Sequence, residues 1–76
     1  MVGAELGSKL RNLREEKGKS LMQVCNEIGL GAATLGYYET SHRTPSLTIA
    51  HLLCFYYNVS LDWLCGRTKE KEVAKG

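Results

Sequence analysis

Cys25, Cys54 and Cys65 are the residues of this chain best suited to covalent or metal chemistry, and their spacing argues against both. A zinc site needs paired ligands a few residues apart, and neither the cysteines nor His42 and His51 fall at such spacing. A disulfide framework needs an even, closely repeated set, whereas these three are widely separated. Cys25 and Cys54 are therefore expected as small core residues in a reducing cytosol. Catalysis needs a nucleophile beside a positioned base, or clustered carboxylates in a cleft. Asp62 is the only aspartate, and no such constellation is present, so the chain is not expected to be an enzyme. No cofactor, metal or small-molecule ligand is implied. The remaining chemistry is that of binding, and a net charge of +2 permits a nucleic-acid partner without arguing for one.

The elements that must present any binding residue are short and helical. The chain has 76 residues, enough for one domain with a modest core. Its 43% hydrophobic and 24% charged content is that of a folded globular protein. No apolar stretch approaches the roughly 20 residues of a membrane span, and the N-terminus lacks a charged start followed by an apolar run, so a cytoplasmic protein is expected. No alternating segment is long enough for a strand. Leu6, Leu10 and Leu13 form one stripe on a first helix over Glu5 to Lys17, which Gly18 stops. Ser20 and Gln23 have capping-box spacing, opening a second helix with Leu21, Val24, Cys25 and Ile28 on one face and Gly29 at its end. A third helix is expected from Ala32 to Glu39 or Thr40, with Leu35 and Tyr38 inward and Tyr37 outward. After the polar loop to Pro45, Ser46 caps a fourth helix running to Tyr57, with Leu47, Ala50, Leu53, Cys54 and Tyr57 as its inward stripe. Asn58 breaks it, and Ser60 caps a short fifth helix carrying Leu61, Trp63 and Leu64. Residues 1–67 thus form one domain, and 68–76 a charged tail expected to fray.

Two short helices joined by a tight glycine turn make a helix-turn-helix, whose second helix can enter the major groove of DNA. Cys25 is small where the helices cross, Gly29 supplies a positive φ, and Val24, Ile28, Leu30 and Leu35 plug the angle between them. Over Leu6 to Arg67 the chain resembles the lambda-repressor-like, or Cro-type, helix-turn-helix domains of phage and bacterial regulators. The resemblance is carried by the Leu-Arg-x-Leu-Arg-Glu-Glu-Lys-Gly run ending at Gly18, by Ile28-Gly29-Leu30, by Tyr38-Glu39, by Arg43-Thr44-Pro45-Ser46 and by Val59 to Leu64. It implies an all-α, compact five-helix bundle that docks its third helix in an operator, commonly as a symmetric dimer, and hence a transcriptional regulator acting as a repressor.

Carried across residue by residue, the resemblance places Ala32, Ala33, Gly36 and Tyr37 at groove-facing positions, with Thr34 within reach of a base or phosphate. Lys19, Ser41, His42 and Arg43 become phosphate contacts. Family members usually place Gln, Ser, Arg or Asn at several of the groove positions, whereas Ala32 and Ala33 offer only methyl contact to thymine. Leu21 stands where the family has a phosphate-binding polar residue. A protein-interaction module that retains the fold is the alternative reading, since a smooth small-residue helix can also pack against protein. The resemblance further pairs Arg14 with Glu39, tying the third helix to the first. Leu52, Phe55 and Tyr56 at i, i+3 and i+4 project away from the fourth helix's inward stripe, and with Leu61 or Trp63 they form a candidate homodimer surface suited to a palindromic operator. The competing expectation is that the fifth helix or the tail covers them.

Overall fold

The computed structural model describes residues 2–31, 33–69 and 71, and these form five helices and no strand. They are α1 (Val2–Glu16), α2 (Leu21–Ile28), α3 (Thr34–Glu39), α4 (Leu47–Tyr57) and α5 (Leu61–Leu64). No helix among the described residues is long and apolar enough to cross a membrane.

Each boundary has a local cause. α1 starts three residues before the expected Glu5 and ends ahead of Gly18, whose φ of 68° is open to glycine without strain. Ser20 caps α2 in a complete capping box: its Oγ accepts from the Gln23 amide at 3.1 Å, and the Gln23 side chain accepts from the Ser20 amide at 2.9 Å. Ser46 and Ser60 cap α4 and α5 by accepting from the amides of Ile49 and Trp63. Asn58 closes α4 in the left-handed conformation, which the short amide side chain of asparagine tolerates.

The leucine stripe of α1 is buried as Leu6, Leu10 and Leu13, and packs with Val24, Cys25, Leu35, Leu53, Cys54, Tyr57, Val59 and Leu64 in one core. Leu47 departs from the expected inward stripe of α4 and is 69% exposed. Helical side chains lean toward the N-terminus. From the first residue of α4, Leu47 therefore reaches past the helix end rather than onto the core, and the stripe begins at Ala50. α1 approaches the end of α3 closely at Gly7, where a Cβ would stand 2.7 Å from the Glu39 carbonyl oxygen and 2.8 Å from that of Tyr38. Only a residue without a side chain fits there. Of the charged tail, residues 70 and 72–76 lie outside the described set; within it, the Lys71 carbonyl accepts from the Ser60 amide at 2.8 Å, and its ammonium lies 3.2 Å from Glu16.

Candidate nucleic-acid interface

α2 and α3 meet across a turn organised by Gly29. At φ 78° this residue donates its amide to the Cys25 carbonyl, and Leu30 donates to the same oxygen at 2.8 Å. One carbonyl of the last turn of α2 thus accepts two amides while the chain reverses. Val24, Cys25 and Leu35 are fully buried behind the turn, with Ile28 and Leu30 packed against them. α3 begins at Thr34, whose amide donates to the Gly31 carbonyl at 3.0 Å, rather than at the expected Ala32, which lies outside the described residues.

Of the residues expected to face a groove, Ala33 is exposed and Thr34 half-buried. Gly36 turns partly toward α2, since a Cβ on it would meet Leu21 Cδ1 at 3.8 Å. Tyr37 is the exposed aromatic of the helix, while Tyr38 packs against the core. The loop after α3 folds back onto Tyr37: the amides of His42 and Arg43 donate to its carbonyl at 2.9 and 3.2 Å. The Arg43 guanidinium lies 5.5 Å from the Tyr37 ring centroid, and the His42 ring 6.4 Å away. Thr40 Oγ1 and His42 Nδ1 are hydrogen-bonded at 2.8 Å. Ser41 makes the reversal in the left-handed conformation at φ 64°, its Oγ close to Gly7. Tyr37, His42 and Arg43 therefore form one exposed cluster. Among the described residues, no carboxylate lies within ion-pair distance of Arg43.

Lys19 stands apart from that cluster. Its ammonium is held by both carboxylate oxygens of Glu27 at 2.7 and 2.8 Å. This contact raises the lysine pKa and lowers that of Glu27, with the Tyr56 hydroxyl a second contributor to each. As a phosphate contact, Lys19 would share its charge with Glu27. The pair is partly exposed, so a phosphate could compete for the ammonium.

Arg14 fixes the helix-turn-helix to α1. Its Nε and Nη2 donate to the two Glu39 carboxylate oxygens at 2.8 and 3.2 Å, and Nη1 donates to the Lys19 carbonyl at 2.8 Å. The Arg14 and Glu39 side chains are only 15% and 5% exposed. The hydrogen bond to Glu39 raises the arginine pKa against the opposing effect of burial.

The surface expected to hold a second copy is smaller than its sequence pattern suggests. Phe55 is 86% and Leu52 37% exposed. Tyr56 instead packs against the core and donates its hydroxyl to Glu27 at 2.6 Å. Trp63 lies beneath the ammonium of Lys9, 4.7 Å from the ring centroid, and Lys9 also donates to the Trp63 carbonyl. Leu61 is half-buried. Tyr56, Leu61 and Trp63 are thus partly used inside the chain: Glu27 of α2 holds Tyr56, Lys9 of α1 covers Trp63, and Leu61 packs against the core. Phe55 remains beside an open groove of about 480 Å³, with His51, Cys54, Val59 and Leu61 in its walls. Gly7, Lys9 and Glu27 escaped sequence reasoning. Only Gly7 leaves a trace there, as a mid-helix glycine that costs roughly 1 kcal/mol unless packing requires it. Among the described residues, no group of histidine, cysteine or carboxylate side chains could hold a metal ion.

A turn closed by Gly29, a buried interhelical plug and an outward-facing second helix define a helix-turn-helix domain. The chain belongs to the helix-turn-helix domain family, whose sequence profile matches residues 5–64. It is similar to the HTH-type transcriptional regulator AnsR of Bacillus subtilis (strain 168), with 33% identity over 66 residues that cover 87% of this chain and 57% of AnsR. It is also similar to the HTH-type transcriptional regulator ImmR of the same organism, 31% identical over 62 residues covering 82% of this chain and 49% of ImmR. The uncharacterized HTH-type transcriptional regulator YobD is 30% identical over 64 residues, which cover 84% of this chain and 57% of YobD. The chain therefore spans about half the length of these relatives.

Proposed function

We propose that the chain is a sequence-specific DNA-binding transcriptional regulator that docks α3 in the major groove. The observation that carries this reading is the exposed Tyr37–His42–Arg43 cluster at the end of α3, with an arginine that no described carboxylate neutralises. Arg43 supplies phosphate affinity and Tyr37 base contact, while Ala33 and Thr34 complete the groove-facing surface and backbone amides at the helix ends add phosphate contacts. Acting as a homodimer through Phe55 and Leu52, the chain would read a palindromic operator with two weak half-site contacts joined. Occupancy of an operator suffices for repression. The names of the Bacillus subtilis relatives support the regulatory role.

Fluorescence anisotropy with random and palindromic duplexes at several salt concentrations tests the reading. Binding should weaken with salt, and Arg43→Ala should weaken all sequences alike and reduce the salt slope by about one unit. Tyr37→Ala should change the preference among sites. Binding to no duplex at any salt would instead favour a protein-interaction module, for which the small uncharged Ala33 and Gly36 are suited. Sedimentation equilibrium at micromolar concentration tests the dimer: a monomer throughout, or a dimer unaffected by Phe55→Glu, would remove that part of the proposal.

A further inference from the structure

From Thr34 to Glu39, α3 contains no arginine, lysine, asparagine or glutamine. Those are the side chains that make paired hydrogen bonds to the major-groove edges of guanine and adenine, so the strongest form of direct base readout is absent from this helix. What α3 presents instead is a braced aromatic ring. Tyr37 is 45% exposed, with the Arg43 guanidinium 5.5 Å from its ring centroid and the tilted His42 imidazole 6.4 Å away. The two backbone bonds from His42 and Arg43 to the Tyr37 carbonyl fix the loop against it, and Thr40 anchors the imidazole. Ala33, four residues earlier, donates no side-chain hydrogen bond and shares the face of Tyr37.

A ring so placed offers mainly apolar surface, and the major groove contains one apolar feature to match it, the methyl group on C5 of thymine. The same methyl is carried by 5-methylcytosine. Resting on the DNA-binding reading above, we infer that Tyr37 is the principal specificity-determining residue and that it selects a pyrimidine bearing a C5 methyl group. Arg43 lies beside the ring and binds phosphate without choosing the base. The operator contact is then defined by shape and methyl position more than by a pattern of donors and acceptors.

The test uses a duplex recovered from a random pool by the chain itself, remade with uracil in place of each thymine in turn. Uracil pairs as thymine does and lacks only the methyl group. At the contacted position in each half-site, the change should weaken binding about fourfold, the equivalent of about 0.8 kcal/mol for one buried methyl. At that position, 5-methylcytosine should bind tighter than cytosine by a similar factor, with guanine opposite both. If only the thymine arm responds, pairing context matters as well as the methyl, and the inference fails for methylated DNA. Tyr37→Ala should bind the thymine and uracil duplexes equally, whereas Tyr37→Phe, which keeps the ring, should preserve the difference. Should Y37A fail to fold by circular dichroism, Tyr37→Gln carries the same test, since it removes the ring but keeps a side chain of similar reach. Salt-dependent binding indifferent to uracil at every position, or a ringless variant that retains the difference, would overturn this inference while leaving the DNA reading intact. Failure to bind any duplex would overturn both.

Discussion

Replacing Arg14 with alanine removes three hydrogen bonds at once and takes the cation away from Glu39, whose side chain is only 5% exposed in the intact pair. Glu39 is the last residue of α3, at the negative end of the helix dipole, so its charge has unusual need of a partner. Breaking a buried pair from one side costs about 3 to 5 kcal/mol, against ~0 to 1 kcal/mol for a surface pair. Because 15% of the Arg14 side chain still reaches solvent, the lower end, about 3 kcal/mol, is expected. In a domain of this size that lowers the melting temperature by roughly 12 to 24 °C. Thermal and urea unfolding followed by circular dichroism at 222 nm measures the loss. A companion variant carrying both Arg14→Met and Glu39→Met leaves no buried charge and should recover much of the stability, short of about 1 kcal/mol for the orphaned Lys19 carbonyl. A loss below about 1 kcal/mol for Arg14→Ala would place the pair among surface salt bridges and refute the reasoning. So would a double variant no more stable than the sum of the two single losses, since the coupling would then be absent.

Other perturbations read out different parts of the molecule. Gly7→Ala should destabilise by about 1 to 3 kcal/mol, because its Cβ would press on carbonyl oxygens at the end of α3 that cannot swing aside; an unchanged melting curve would show that α1 and α3 do not approach so closely. Glu27→Gln removes the carboxylate that neutralises Lys19, so DNA affinity at low salt should rise and the salt slope steepen by up to about one unit; no change in anisotropy titrations would mean that Lys19 lies away from the backbone. Burial pushes the Cys54 thiol from its ordinary 9.0 up to about 11 and raises Tyr57 as well, so both groups favour the fold while neutral. The Cys54 contribution is complete below pH 9 and is lost as pH rises toward 11, whereas that of Tyr57 is complete below about pH 10 and is lost above it, because the unfolded chain releases each proton first. Urea midpoints measured across that window should fall, and Tyr57→Phe should flatten the upper part. The same Tyr57→Phe change should cost little at neutral pH, because the buried hydroxyl has no hydrogen-bond partner among the described residues.

Much of the fold is legible in the sequence because its determinants are local. Ser20 with Gln23, Gly29, Ser46, Asn58 and Ser60 mark helix ends through bonds and backbone angles that reach no further than a few residues. The 3.6-residue period places Leu6, Leu10 and Leu13 on one face whatever lies opposite. That same period separates Tyr37 from Tyr38, and so identifies the outward ring of the candidate interface before any packing is known. Periodicity says which side of a helix is apolar, but it does not say what neighbours that side will meet. Leu47 and Tyr56 show the consequence. Leu47 has the correct phase for the core but sits where α4 begins, and Tyr56 has an outward phase but finds Glu27, 29 residues away. Lys19 reads as a free cation until α2 folds Glu27 against it, and Lys9 meets Trp63 across 54 residues. The close approach of α1 to α3 at Gly7 likewise depends on how two helices are set side by side. The sequence by itself determined the helices, their caps and the helix-turn-helix. Which charges remain available to a phosphate, and which aromatics remain exposed to a partner, was decided only by the tertiary structure, because each depends on contacts between one element and another, as of Lys19 with Glu27 or Lys9 with Trp63.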